Sequence, residues 1–303
     1  MFRPIHFIPT DTKFDFVAKR WWAFSVTIIL LILTFIALAT QGLNLGIDFK
    51  GGILIEAKAQ QAVDTAALRS DLNQLGLGEV ELQQFGSPDD VLIRVQRQEG
   101  DEAAQTKAIQ SVRDKLGTGY EYRRVEVVGP TVGKELLHAG ILATVLAMLA
   151  ISVYVAMRFE WQFGLAALIA TFHDVLTTVG FFAVLHLDFN LTAVAALLTL
   201  AGYSINDTVV VFDRIRETLR RQKATDLRSV INDSVNQTLS RTTMTAGTTL
   251  LALLPLALMG GSTLVNFSAA LIWGIVVGTY SSIYVAAALL IYMPPLRRVE
   301  TKG

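Results

Sequence analysis

The sequence predicts a polytopic α-helical membrane protein with six transmembrane helices and one ferredoxin-like α+β domain outside the membrane. Of the 303 residues, 52% are hydrophobic and 17% are charged, a composition more apolar than a soluble core requires. Six apolar stretches are each long enough to cross about 30 Å of hydrocarbon at about 1.5 Å per residue. A segment between the first two stretches instead shows the pattern of a folded soluble unit.

The six predicted transmembrane helices occupy residues 22–40, 136–157, 163–185, 191–212, 242–260 and 267–292. The first has an alternative interpretation, because Lys19 and Arg20 precede it and Ala37-Leu38-Ala39 resembles a signal-peptidase site. Its apolar run is longer than that of a typical signal peptide, and five further spans follow. We therefore expect it to be retained as a transmembrane helix.

Lysine and arginine predict the orientation, since short cytoplasmic connections are enriched in both. Basic residues fall in the N-terminal segment 1–21, at Arg158, in the connecting loop predicted at 213–241 and in the C-terminal segment 293–303. The connections 186–190 and 261–266 on the other side contain neither residue type. Both termini are therefore predicted to be cytoplasmic, with the soluble domain on the opposite side.

The soluble domain is predicted at residues 45–130, where 14 acidic residues face 10 basic ones. Alternating patterns indicate strands at 53–57, 80–85, 91–95 and 120–127, and helices at 64–75 and 101–116, with a turn at 86–90. The order β-α-β-β-α-β is that of a ferredoxin-like split βαβ unit. Its carboxylates are scattered and it contains no histidine, which favours a binding or lever role over an enzymatic one.

Whole-chain composition excludes several kinds of chemistry. The sequence contains no cysteine, so disulfides, thiolate catalysis and cysteine-bound metals are ruled out. Lys+Arg and Asp+Glu both number 26, a balance that indicates no nucleic-acid partner. We predict no enzymatic activity, no metal and no organic cofactor.

Glycine-bearing segments flank the soluble domain. Gly129 and Gly133 lie in a sequence that is one residue short of a phosphate-binding loop and lacks its final Ser or Thr, so we interpret it as a hinge. The matching outward hinge contains Gly46, Asp48, Gly51 and Gly52, whose glycines permit turn geometry that other residues avoid. Two hinges would let the domain swing as a unit, although ordinary connectors have the same composition.

Polar side chains line three of the predicted spans at helical spacing. In the fourth span, Tyr203 and Asp207 share a face, with Asn206 and Thr208 beside them. The polar residues of the third span are Thr171, Asp174, Thr177 and Thr178. Those of the fifth are Thr238, Arg241, Thr245, Thr248 and Thr249. A charged residue at a bilayer centre costs about 2.5 to 3.5 kcal/mol on insertion scales. The three stripes are therefore predicted to share one interior.

Each charged residue in these stripes also has a structural interpretation. Asp174 could join neighbouring helices through hydrogen bonds, and Arg241 could extend to the cytoplasmic interface. Asp207 lies too deep in its span for a short side chain to reach the headgroups. Gly274 and Gly278 form a G-x-x-x-G pair, which usually marks close helix packing.

Four motifs give the chain a strong resemblance to the SecF family. They are GIDFKGG at 46–52, GPTVGKEL at 129–136, FEWQFGLAALIATFHDV at 159–175 and LAGYSINDTVVVFDRIRE at 200–217. The resemblance covers nearly the whole chain. It implies half of a twelve-helix body of the resistance-nodulation-division (RND) type, completed by SecD and attached to the SecYEG channel in the bacterial inner membrane. The domain at 45–130 would then be periplasmic.

The resemblance also implies a function and its residues. The family promotes late steps of protein export, acting on unfolded secretory polypeptides and using the proton motive force. By position, Asp207 and Arg241 would carry proton coupling together with an Asp from SecD. The polar face of the third span makes Asp174 a further candidate. Tyr203, Ser204, Asn206 and Thr208 complete the motif around Asp207. Two alternatives stay open: half of an exporter for lipids or small molecules, and a scaffold subunit without energy coupling.

Overall fold

A computed structural model describes residues 12–78, 80–100, 102–221, 226–259 and 261–294. The predictions for residues 1–11, 79, 101, 222–225, 260 and 295–303, including parts of both predicted cytoplasmic termini and the predicted first residue of the helix at 101–116, lie outside this range. The helices are α1 (Arg20–Thr40), α2 (Ile47–Lys50), α3 (Thr65–Asn73), α4 (Glu102–Leu116), α5 (Pro130–Arg158), α6 (Trp161–Val184), α7 (Leu191–Arg221), α8 (Leu227–Met259) and α9 (Gly261–Ser281). The strands are β1 (Gly52–Ala59), β2 (Val80–Phe85), β3 (Ser87–Val95) and β4 (Tyr120–Val128).

The last span changes helix type after α9. A π-helical turn at Ser282–Ala286 follows, then α10 (Ala287–Leu289) and a 3₁₀ turn at Leu290–Tyr292. Single π-helical turns inside α-helices occur often at functional sites.

Six helices in the described ranges are long and apolar enough to span a membrane, which confirms the predicted number. The predicted loop at 213–241 is instead mostly helical, because α7 continues to Arg221 and α8 begins at Leu227. Oppositely charged side chains one turn apart support these extensions, as Arg214 and Glu217 do at 2.5 Å. The apolar pattern of the sequence predicts only the part of a helix that lies in the hydrocarbon. Both α7 and α8 continue beyond that part with polar residues.

The predicted α+β domain is confirmed as a four-stranded antiparallel sheet of order β2-β3-β1-β4, with α3 and α4 inserted in the β-α-β-β-α-β order. Its own core includes the fully buried side chains of Ile53, Ile55, Leu72 and Ile93. The predicted turn at 86–90 is shorter than expected. Gly86 alone separates β2 from β3, at a φ of +64° that favours glycine.

The membrane helices pack around α6, α7 and α9. Close approach within this centre depends on glycine, as the G-x-x-x-G pair predicts. A Cβ atom on Gly274 would lie 2.5 Å from both terminal methyls of Leu200. By contrast, only 11% of the most apolar window of α8 is buried, against 67% for the last span. One side of α8 is therefore left uncovered by the residues that the structure describes.

Candidate functional site

Asp207 lies on the inner face of α7 and is 3% exposed. Its Oδ2 atom has no hydrogen-bond partner among the described residues. Ser204 and Thr208 point inward with it, Tyr203 is half-buried and Asn206 is exposed. The predicted polar face around Asp207 is therefore divided between the interior and the outer surface.

Arg241 is exposed near the middle of α8, with Thr248 exposed on the same side of the helix. Within the described ranges, no carboxylate oxygen lies within 4.0 Å of its guanidinium. The prediction that all three polar stripes share one interior is therefore wrong for Arg241. Its side chain lies on the side of α8 that the described residues leave uncovered.

Asp174 is completely buried on α6 and joins three helices. Its Oδ2 accepts hydrogen bonds from the hydroxyls of Ser204 on α7 at 2.5 Å and of Ser281 at the end of α9 at 2.7 Å. Its Oδ1 lies 2.9 Å from the Nδ1 of His173. This is the geometry expected for a residue that joins helices, and the role of Asp174 in proton coupling stays a prediction.

Two further hydroxyls, of Thr208 and Ser282, lie beside this group and bond the backbone of Ser204 rather than its hydroxyl. The backbone carbonyl of Ser204 accepts from Thr208 at 3.2 Å and from Ser282 at 3.4 Å. The hydroxyls of Thr208 and Ser282 lie 2.8 Å apart. Ser282 begins the π-helical turn, so the irregular part of the last span lies against this polar cluster.

Sequence reasoning missed three members of the cluster: His173, Ser281 and Ser282. His173 precedes Asp174 directly and is 3% exposed. The two serines form a pair within an otherwise apolar span. Two sequence signals could have indicated these residues. One is a polar residue next to a carboxylate in a predicted span, and the other is a pair of adjacent hydroxyl residues in a predicted span.

The segment predicted as the outward hinge is docked on the membrane body. The Gly46 amide donates to the Phe189 carbonyl and the Phe189 amide donates to the Asn44 carbonyl, both at 2.8 Å. The Oδ2 atom of Asp48 accepts from the Leu191 amide at 2.9 Å and so caps the start of α7. The predicted outward hinge is therefore hydrogen-bonded to the membrane body in this structure, and its movement as a hinge stays a prediction.

The other predicted hinge residues have definite structural roles. Gly51 and Gly52 adopt φ values of +77° and +138° between α2 and β1, a conformation that other residues rarely adopt. Gly129 precedes α5 and acts as its N-cap residue. A Cβ atom on Gly133 would lie 2.6 Å from the Phe49 carbonyl oxygen, so α5 packs directly on the backbone of α2.

An ion pair reinforces this attachment. The Arg94 guanidinium on β3 contacts the Asp188 carboxylate, and both side chains are almost completely buried. Asn44 donates to Asp188 at 3.0 Å, and Glu81 accepts from Arg94 at 3.1 Å. Burial lowers the pKa of Arg94 below its usual value, and the Glu81 carboxylate opposes that shift. We call the contact of residues 44–48 and Arg94 with residues 186–191 the docking contact.

Comparisons with known proteins agree with the motifs. The sequence model of "Protein export membrane protein SecD/SecF, C-terminal" matches residues 108–295, and that of the SecD/SecF GG motif matches residues 36–63. A protein translocase subunit SecF from Magnetococcus marinus is 47% identical over 94% of this chain and 93% of its own length. The chain belongs to the SecF family. Another relative with that description, from Rickettsia felis, is 45% identical over 95% of this chain and 94% of its own length.

Solved structures show the same fold for this member of the SecF family. The crystal structure of SecDF from Thermus thermophilus covers 95% of the chain with a TM-score of 0.86 at 35% identity. The chain spans 39% of that SecDF chain. SecDF in a super-membrane-facing form matches with a TM-score of 0.69 at the same identity. The chain is therefore a multi-pass membrane protein whose arrangement is nearer to the first SecDF structure.

Proposed function

We propose that the chain is the SecF half of a SecDF-type complex that uses the proton motive force to promote late steps of protein export. The observation that carries the proposal is that α7 holds a buried carboxyl without a hydrogen-bond partner at Oδ2, Asp207, while the neighbouring helix α8 holds an exposed guanidinium, Arg241. Each of these ionisable side chains is costly in the membrane, so a helix with a purely structural role is not expected to contain them. The chain would act by binding and releasing protons, without enzymatic activity, metal or organic cofactor.

SecD is the proposed cover for the open face of α8. Arg241 on α8 is exposed, and lipid could not satisfy its guanidinium. Asn206 on the neighbouring helix α7 is also exposed. The Thermus SecDF chain is long enough to contain a second half besides the part that this chain matches. A six-helix SecD would bring polar groups to Arg241 and complete the twelve-helix body.

Proton binding at Asp207 would supply the driving force. Each proton that crosses the membrane provides about 2.3 kcal/mol per 100 mV of potential and about 1.4 kcal/mol per pH unit. A few kcal/mol is enough to shift a two-state equilibrium substantially. Charging and neutralising Asp207 near Arg241 would therefore favour two different packings of α7 against α8.

The docking contact would transmit this movement. Asp207 lies on α7, and the first amide of the same helix is capped by Asp48 at the entrance to the α+β domain. A shift of α7 would therefore pull directly on the domain. We propose that the domain is periplasmic and both termini are cytoplasmic, in a bacterial inner membrane, because lysine and arginine are concentrated at the opposite ends of the spans.

The proposed partners are SecD, the SecYEG channel and unfolded secretory polypeptides, with no role for nucleic acid. Crosslinking a stalled secretory chain to residues 45–130 would support this substrate. A half-exporter for lipids or small molecules should give no such adduct.

Asp207→Asn in proteoliposomes with SecD and SecYEG tests the coupling. We expect loss of the gradient-dependent stimulation of export, because the amide cannot carry a proton. Asp213→Asn is the matched control, since Asp213 is exposed on the same helix and should leave stimulation intact. Continued stimulation with Asp207→Asn would reject the coupling and leave the uncoupled scaffold as the function.

A further inference from the structure

Two arginine side chains lie against one phenylalanine ring at the end of α5. The guanidinium carbon of Arg158, the last residue of α5, is 5.3 Å from the centre of the Phe159 ring, and that of Arg216 on α7 is 5.7 Å from the same centre. Phe159 is 8% exposed and packs against the buried ring of Phe163. The two positive charges are therefore held on a packed ring, no more than 11.0 Å apart, the sum of the two distances.

Neither guanidinium has a carboxylate within 4.0 Å among the described residues. Glu217, which follows Arg216 on α7, pairs instead with Arg214 and Arg221. The Nη1 atom of Arg216 donates to the Arg158 carbonyl at 3.3 Å, whereas its buried Nε has no hydrogen-bond partner in the described ranges. Two cations that share one ring in this way favour an anion whose oxygens accept from both.

The surface beside the two arginines has the composition of a lipid-facing one. Tyr154 and Met157 on α5 and Trp161 at the start of α6 are 63%, 83% and 55% exposed, and tyrosine and tryptophan are enriched where a membrane meets water. This surface differs from the face proposed for SecD, because α5 packs on α6 and α7 whereas α8 packs on α7 and α9. The arginines therefore lie at the level of the lipid headgroups, next to side chains that contact hydrocarbon.

We propose that Arg158 and Arg216 bind the phosphate of an anionic phospholipid, with the Phe159 ring positioning both guanidinium groups. Glu160, the adjacent acidic residue, has one charge against two, so the site keeps a net positive charge and favours an anionic headgroup over a zwitterionic one. The acyl chains would lie along the exposed apolar face of α5, which a free phosphate would leave uncovered. Under the proposed orientation this lipid belongs to the cytoplasmic leaflet. The site does not depend on proton coupling at Asp207.

Native mass spectrometry of the complex with SecD, released from nanodiscs of phosphatidylcholine and phosphatidylglycerol, tests this proposal. We expect the wild type to retain phosphatidylglycerol preferentially. Arg158→Gln and Arg216→Gln should each bind it roughly fivefold more weakly, the usual contribution of one basic residue at an anionic surface. Arg228→Gln is the matched control, because Arg228 is exposed on α8 and should not affect retention. Wild-type retention when both Arg158 and Arg216 are replaced, or an equal loss in Arg228→Gln, would overturn the proposal.

Two further measurements use the wild-type complex, so they do not depend on how a variant folds. A photoactivatable phosphatidylglycerol should label residues 154–161 several-fold more than the matching phosphatidylcholine, and equal labelling would overturn the proposal. Inorganic phosphate, added at the concentration of the anionic lipid, should leave the lipid bound. Displacement by it would assign the arginines to free phosphate and overturn the lipid site. Asp207→Asn should retain the lipid as the wild type does, so a failure of proton coupling is distinguishable from a failure of this site.

Discussion

Arg94→Met should open the docking contact while leaving the α+β domain folded. The substitution keeps much of the side-chain volume but leaves Asp188 buried without its cation. Removing one partner of a buried ion pair costs about 3 to 5 kcal/mol. The lower end applies here, because Asn44 still donates to Asp188. The lost contact between Arg94 and the half-exposed Glu81 adds little.

Amide hydrogen exchange on the assembled complex measures this effect directly. The amides of Gly46, Phe189 and Leu191 are hydrogen-bonded across the docking contact, so they exchange when it opens. A loss of about 3 kcal/mol corresponds to exchange more than about a hundredfold faster, at about 1.4 kcal/mol per tenfold. Amides in the domain core, such as that of Ile55, should keep their wild-type protection.

Two controls separate the ion pair from general damage. Arg94→Met combined with Asp188→Asn removes the unpaired charge, so we expect much of the protection to return. Lys115→Met breaks an exposed pair with Asp71 and should change nothing at the docking contact. Unchanged exchange at Phe189 and Leu191 in Arg94→Met would refute the reasoning, since the buried pair would then contribute nothing to docking.

Three further predictions concern other contacts. Gly274→Ala would place a methyl group 2.5 Å from Leu200, so we expect a loss of about 1 to 3 kcal/mol, and an unchanged melting temperature of the complex would contradict it. Asp48→Ala removes the acceptor at the first amide of α7 and should cost about 1 kcal/mol, seen as faster exchange at Leu191, whereas Asp48→Asn should retain most of the protection. The backbone N–H of Ala18 and then the side-chain amide of Asn232 on α8 donate hydrogen bonds to Asp15 and lower its pKa below 3.8. The stability that the ionised carboxylate contributes, including its contact with α8, is complete above that pH and is lost as pH falls through the lower folded value. A fluorescent label on the N-terminal segment should therefore report no release between about pH 5 and 8, and release in that range would argue against this contact.

The sequence is sufficient to predict the elements whose pattern is local. Six spans follow from apolar length, and the α+β domain follows from alternating and helical periodicities. The depth of Asp207 in its span also indicates its burial, which the structure confirms. These features depend on residues that are close together in the sequence, so the local sequence pattern is enough to predict them.

Long-range contacts and missing partners account for what the sequence could not predict. The docking contact joins Asn44 to Asp188 across 144 positions, and no local pattern encodes that pairing. Arg241 has the spacing of an inward residue, but a helix face is buried only if something covers it. The described part of the chain leaves this face of α8 uncovered. His173 looks like an isolated histidine until the fold brings Ser204 and Ser281 to the neighbouring Asp174.

The docking contact also imposes an order on how each new copy matures. Residues 44–48 leave the ribosome long before residues 186–191, so the two sides of the contact are not made together. The α+β domain has a core of its own and can close it while the third and fourth spans are still being synthesised. Attachment has to wait until α7 has been inserted. Every nascent copy therefore passes through a stage in which the α+β domain is connected to α1 but has not yet formed the docking contact.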